Sequence, residues 1–140
     1  MKIFKLNYVL LVALTSLILN CSEDDSTTVS DEVIASEIIG SWRLIQEKEY
    51  VNGEEVSSYN VPDGCDEEVI NFTTDELTFN IDDNCDGTFD ENDTFIYTIS
   101  NNQIIVEGET AEVAEVTSST LILKFYYDND SYDESHYEKL

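Results

Sequence analysis

From Trp42 to the C terminus, apolar and polar residues alternate with a period of two, in runs of four to eight divided by Asn, Gly and Asp. Alternation of this kind, rich in β-branched and aromatic residues, marks an all-β chain. It predicts strands at Ser41 to Tyr50, Glu54 to Tyr59, Glu68 to Thr73, Glu76 to Ile81, Thr94 to Ile99, Gln103 to Glu107, Ala111 to Thr117, Thr120 to Tyr127 and Tyr132 to Lys139. Leu121, Leu123, Phe125 and Tyr127 share one face of their strand, and Leu77, Phe79 and Ile81 share one face of another. Connections such as Ser100-Asn101-Asn102 and Thr117-Ser118-Ser119 are too short for parallel crossovers, which need about a dozen residues or more. The economical topology is therefore an antiparallel up-and-down meander. About eight such strands close into a small β-barrel whose interior is either packed with side chains or holds one small ligand. Ahead of the strands, Val33, Ile34, Ile38 and Ile39 fall at helical spacings, which predicts a short helical segment within Asp31 to Ile39 that closes one end.

The N terminus follows another order. Lys2 and Lys5 precede an apolar stretch from Val9 to Leu19, and Cys21 opens a polar run, the layout of an export signal. The apolar run is short against the roughly 20 residues a membrane span needs. Leu17-Ile18-Leu19-Asn20-Cys21 resembles a lipobox, departing from it in Asn20, where Gly, Ala or Ser is usual, and in Ile18. The resemblance implies cleavage before Cys21 and lipid attachment at that residue. Residues 1–20 are then a lipoprotein signal peptide, 21–37 an acidic flexible tether and 38–140 the barrel domain. Ser22-Glu23-Asp24-Asp25 resembles the surface-export signal of Bacteroidetes lipoproteins, which would place the domain on the outer face of the outer membrane.

Acidic residues number 31 against 6 lysines and arginines, a formal charge of −25. Nucleic acid is excluded as a partner by electrostatics, and anionic head groups would repel a folded domain lying on the membrane. Attachment through lipid at Cys21 is left as the membrane contact, and the domain is expected to act as a monomer. With Cys21 acylated, Cys65 and Cys85 remain from the 3 cysteines. In an exported protein they are expected to form one bridge, which would restrict the unfolded chain by roughly 3 kcal/mol. A metal-binding thiol pair is the rival, although no further Cys or nearby His completes a site.

Gly40-Ser41-Trp42 has the form of the G-x-W opening of lipocalins. With Cys65 ahead of Val69 to Thr73, Leu77-Thr78-Phe79-Asn80, Cys85, the pair Tyr97-Thr98-Ile99 and Gln103-Ile104-Ile105-Val106, and then Leu121-Ile122-Leu123, residues 38 to 140 resemble the lipocalin-like lipoproteins of Bacteroidetes. The resemblance implies a small barrel in which Gly40 lets the chain enter and Trp42 plugs the closed end. It also implies binding of an apolar or amphipathic small molecule.

Catalysis finds little support. His136 is the only histidine, and neither a G-x-S-x-G nor an H-E-x-x-H motif occurs, so the domain is expected not to be an enzyme. Tyr126, Tyr127, Tyr132 and Tyr137 either line a binding mouth or pack as ordinary strand residues. The segment Asp82 to Asp93 places oxygen side chains at loop positions 1, 3, 5, 9 and 12, with Gly87 at position 6. That is the pattern of calcium loops, and it resembles those of dockerins and thrombospondin type 3 repeats. Asp82, Asn84, Asp86, Asp90 and Asp93 would be ligands, with the Thr88 carbonyl beside them. A solvated acidic turn is the alternative. Two functions stand together on these grounds: a surface-tethered, lipocalin-like module that binds a small apolar molecule, or a structural module with a filled barrel whose calcium-set loops contact an envelope protein or polysaccharide. A cavity of about 300 Å³ or more, open at one end, would favour the first.

Overall fold

A computed structural model describes Ser30 to Leu140 apart from position 66. The expected signal peptide, the expected lipidation site Cys21 and most of the expected tether lie outside the described residues. Nine strands follow one helix, α1 (Asp31–Glu37): β1 (Gly40–Val51), β2 (Glu54–Asn60), β3 (Glu68–Phe72), β4 (Glu76–Ile81), β5 (Glu91–Ser100), β6 (Gln103–Val106), β7 (Glu109–Val116), β8 (Thr120–Tyr126) and β9 (Ser131–Lys139). From β3 to β9 each strand pairs antiparallel with the next, and β1 joins β3 on one side and β9 on the other, closing an eight-stranded barrel. The ninth strand, β2, takes the outer half of the β1 edge from Gln46 to Val51, and all its residues are exposed. Its sequence EEVSSYN has no apolar face with which to enter the wall.

Two-residue turns set the meander. Asn52 and Gly53 (φ 54° and 75°), Asn101 and Asn102 (52° and 66°), and Glu107 and Gly108 (52° and 95°) all have positive φ at both central positions. That geometry matches the right-handed twist of the flanking strands, which is why Asn and Gly recur there. One irregularity decides which side chains of β1 face the interior. β1 shifts register against β9 between Leu44 and Gln46, a bulge that leaves Ile45 40% exposed. A bulge adds one residue to one strand, so the faces beyond it are exchanged. Trp42 and Leu44 point into the barrel, and the next inward residue is Glu47 rather than Gln46 or Lys48.

The end of the barrel where β1 begins is sealed. Ser30 caps α1 by accepting from the Val33 amide at 3.4 Å, and the helix sets Ile34 and Ile38 fully buried against Trp42. A buried indole N–H needs an acceptor, and Trp42 Nε1 donates to the Ile38 carbonyl at 2.6 Å. Lys139 Nζ sits 4.8 Å from the indole ring centre and donates to the Glu37 carbonyl at 3.1 Å. The Asp31 carboxylate accepts from the Asn101 and Asn102 amides at 3.0 and 2.8 Å, tying the helix to the β5–β6 turn. Gly40 has φ +128°, and a Cβ there would lie 3.0 Å from Lys139 Cε, so the chain can enter the strand at this point only without a side chain.

Candidate functional site

Inward residues fill the sealed half of the barrel and leave the other half hollow. Ile70, Phe72, Leu77, Ile104 and Leu123 form the floor, and Phe79, Phe95, Val106 and Phe125 rise along the walls. The aromatic contacts are edge-on, Phe72 to Tyr97 at 5.4 Å and Phe79 to Phe95 at 6.2 Å between ring centres, which props the rings against the walls. Ala111 and Ser135 face inward with little bulk. The resulting cavity measures about 620 Å³ and opens at the end opposite the helix. Single-ligand sites commonly occupy about 300 to 1,000 Å³.

The mouth is acidic. Glu47 from β1, Glu68 from β3 and Asp133 from β9 line it, joined by Glu107 and Glu109 at the β6–β7 turn. Burial lifts the Glu47 carboxyl above its ordinary range, and the neighbouring Asp133 and Glu67 charges lift it further. Burial also raises Glu68, as do Glu47 and Glu67, while the hydrogen bond from Tyr137 works against the rise. Tyr137 is buried and donates its hydroxyl to Glu68 Oε1 at 2.7 Å; burial first and then the Glu68 charge hold its phenol well above the usual value. Tyr127 donates to Asp133, and this bond, with some burial, pushes its pKa up to about 12. The basic side chains have outer-face partners: Arg43 pairs with Glu138, Lys48 with Glu55 at 3.7 Å and Lys124 with Glu134 at 3.6 Å. Among the described residues that line the cavity there is no lysine, arginine or histidine.

The expected residues distribute unevenly around this site. Gly40 and Trp42 belong to the sealed end, as the G-x-W resemblance implied. Cys65 and Cys85 are joined by a disulfide, with Cα atoms 4.8 Å apart, which ties the approach to β3 to the β4–β5 loop beside the mouth. Tyr127 and Tyr137 line the cavity, while Tyr126 borders its rim from the outer face, its ring 5.2 Å from that of Tyr132. Tyr132 instead stacks on Tyr50 at 4.8 Å on the outer face, where Lys124 lies over its ring. His136 also belongs to that face, its Nε2 lying 2.6 Å from Glu134 Oε1.

The acidic β4–β5 loop folds on its own amides. Asp82 is 1% exposed, and its two oxygens accept from Asp86 N at 3.2 Å and Gly87 N at 2.7 Å. Asp86 accepts from Thr88 N at 2.9 Å, and Asn84 Nδ2 donates to Asp90 at 3.2 Å. Asp93, expected as the last loop ligand, belongs to β5, which starts three residues before the expected Thr94 and sets Asp93 opposite Phe79 in the ladder. The loop closes early because Asp90 N bonds the Ile81 carbonyl at 2.7 Å. Among the described residues, no group of three or more Asp, Glu, His or Cys side chains is arranged to hold a metal ion.

Sequence reasoning did not single out Glu47, Glu68 or Asp133. Continuing the alternation of Trp42 and Leu44 straight through β1 puts Gln46 and Lys48 inside, and only the bulge brings in Glu47. For Glu68 a signal existed: it shares the inward frame of Ile70 and Phe72, so its place on an apolar face could have marked it.

The model of the family described as "Lipocalin-like domain" matches residues 38–123. No curated protein matches the chain significantly. Among solved structures, the chain is similar to a lipocalin-like protein from Bacteroides uniformis, at 21% identity over 74% of this chain and 99% of that one, with a TM-score of 0.50. It is also similar to an uncharacterized protein from Bacteroides eggerthii, at 15% identity over 73% of this chain and 98% of that one, with a TM-score of 0.52. These two likenesses speak for the fold, and the family match, which spans more than half of the sequence, together with the closed eight-stranded barrel establishes that the chain belongs to the lipocalin-like domain family.

Proposed function

We propose that the domain is a non-enzymatic binding module for one small apolar or amphipathic molecule, held at the outer membrane through lipid on Cys21 and facing outward. The observation that carries the binding reading is the cavity of about 620 Å³, whose floor and walls are apolar and whose mouth is open. A filled barrel would bury those aromatic faces against one another. Here they line a space, and occupancy by an apolar body would remove them from water. No catalytic step enters this reading, since His136 is engaged with Glu134 on the outer face.

Uptake of N-phenyl-1-naphthylamine, a neutral apolar fluorophore, tests the cavity. One molecule per barrel with enhanced emission is expected, and Ala111→Phe, which fills the space from within the wall, should abolish the enhancement. Equal uptake by the filled variant would remove the proposal. The anchor is tested separately: Cys21→Ser should move the protein from the membrane to the soluble fraction, and unchanged acylation and fractionation would defeat that part alone.

A further inference from the structure

Glu47, Glu68 and Asp133 stand on β1, β3 and β9, three adjacent strands, because β1 pairs with both of the others. They therefore form one acidic wall at the cavity mouth, with Glu107 and Glu109 on the β6–β7 turn as further carboxylates. The walls also carry Phe79, Phe95 and Phe125. Among the described residues, tyrosine hydroxyls answer two of the acids, Tyr137 at Glu68 and Tyr127 at Asp133, and these are neutral donors. Among the described residues the strong bases are engaged elsewhere: Lys48 with Glu55, Lys124 with Glu134 and Arg43 with Glu138 on the outer face, and Lys139 at the sealed end. The wall is thus negative, half-buried at Glu68 and Asp133 and open to water at Glu47, and it stands beside apolar surface. An anionic head group placed there would meet like charge in a weakly screened site, whereas a cation would relieve the repulsion among the acids.

We infer that the ligand is a cationic amphiphile, with an apolar body lodged among Phe79, Phe95 and Phe125 and an amine or amidinium seated against Glu47, Glu68 and Asp133. The inference rests on the cavity-binding reading and names the chemical class of its occupant. It explains why carboxylates face inward where uncharged polar residues would keep the mouth wet at less electrostatic strain.

Three probes sharing one chain length separate the parts: decylamine, decanol and decanoate, titrated calorimetrically into the domain at neutral pH. Decylamine should bind about tenfold or more tightly than decanol, the size of effect one close ion pair at a partly buried site supplies, and decanoate should bind least. In the triple variant Glu47→Gln, Glu68→Gln, Asp133→Asn the three affinities should converge. Because the protein is strongly anionic overall, a charge-matched control is needed: Glu32→Gln, Glu76→Gln, Glu115→Gln removes exposed acids from outside the cavity and should keep the tenfold preference. If the triple variant does not fold, Glu47→Gln alone should lower the preference at least about threefold, roughly half of the tenfold effect on a logarithmic scale. Equal binding of decylamine and decanol, or a preference that the control loses as fully as the mouth variant, would overturn the cationic class while leaving the cavity as a binding site. Failure of all three probes to bind would overturn the binding reading itself.

Discussion

At the helix end of the barrel, Trp42, Ile34 and Ile38 are fully buried, and most polar groups drawn in with them meet a partner from the chain: the indole N–H its carbonyl, Lys139 the end of the helix, Asp31 two turn amides, with Asn102 Oδ1 in that turn the one buried side-chain atom among the described residues that has none. At the other end, Glu47, Glu68 and Asp133 stand at the rim of a hollow, with Tyr137 donating to Glu68 and Tyr127 to Asp133 and no base among the lining residues described. The mouth half also carries the register step of β1, so the difference comes from that step, from what the inward positions carry and from what satisfies them. Charges and apolar surface left without an internal answer mark where stability has been traded for binding. The helix end is where the fold is held; the acidic end is where it is under tension.

Substitutions should separate the two ends in order of effect. Trp42→Ala removes the plug and leaves the Ile38 carbonyl unpaired, with an expected loss of about 3 to 5 kcal/mol in urea unfolding. A loss under about 1 kcal/mol would mean that the helix end does not hold the fold. Next comes the bridge that ties the mouth loops: Cys65→Ala with Cys85→Ala should lower stability by about 2 to 5 kcal/mol, nearer the lower bound, read as a fall in melting temperature that reductant reproduces in the wild type. Asp31→Ala should follow at about 0.5 to 1.5 kcal/mol, because water replaces the carboxylate at the two exposed amides of the β5–β6 turn.

The smallest effect has the opposite sign. Glu47 and Glu68 have raised pKa values in the folded protein, so the folded state binds their protons more tightly than the unfolded chain does. Their contribution is therefore fully present below the ordinary value of 4.5 and is lost as pH rises through the raised values. Glu68→Gln should then raise stability at neutral pH and flatten the rise on acidification, as followed by thermal melting across that range. A Glu68→Gln variant less stable at neutral pH would show that the bond from Tyr137 outweighs the cost of burying the charge.

Most of the fold was legible because its signals are local. Period-two runs located the strands closely, and the spacing of Val33, Ile34, Ile38 and Ile39 foretold a helical segment at one end. The edges misread were those that tertiary pairing decides: β5 starts at Glu91 because Ile81 and Phe79 draw the loop residues into the ladder. In the calcium-spaced loop, Asp82 and Asp86 occupy the expected places and accept from backbone amides of the same loop, contacts that positional spacing does not display. The acidic mouth was hidden for a related reason. An acid in a chain with 31 of them is uninformative until its face is known, and in β1 the face depends on one extra residue near Ile45.

That extra residue has a consequence for ancestry. Were β1 to pair with β9 without the step, Gln46 and Lys48 would face in, and Glu47 and Glu49 would face the solvent. The charge that β1 offers to a guest is thus written in strand length as well as in side-chain identity: the loss of one residue near Ile45 would exchange Glu47 for Gln46 and Lys48 on the inner face while Glu68 and Asp133 stay in place. Against a strand without the extra residue, a gap opened near Ile45 is what keeps lumen residues matched to lumen residues across Leu44 to Lys48.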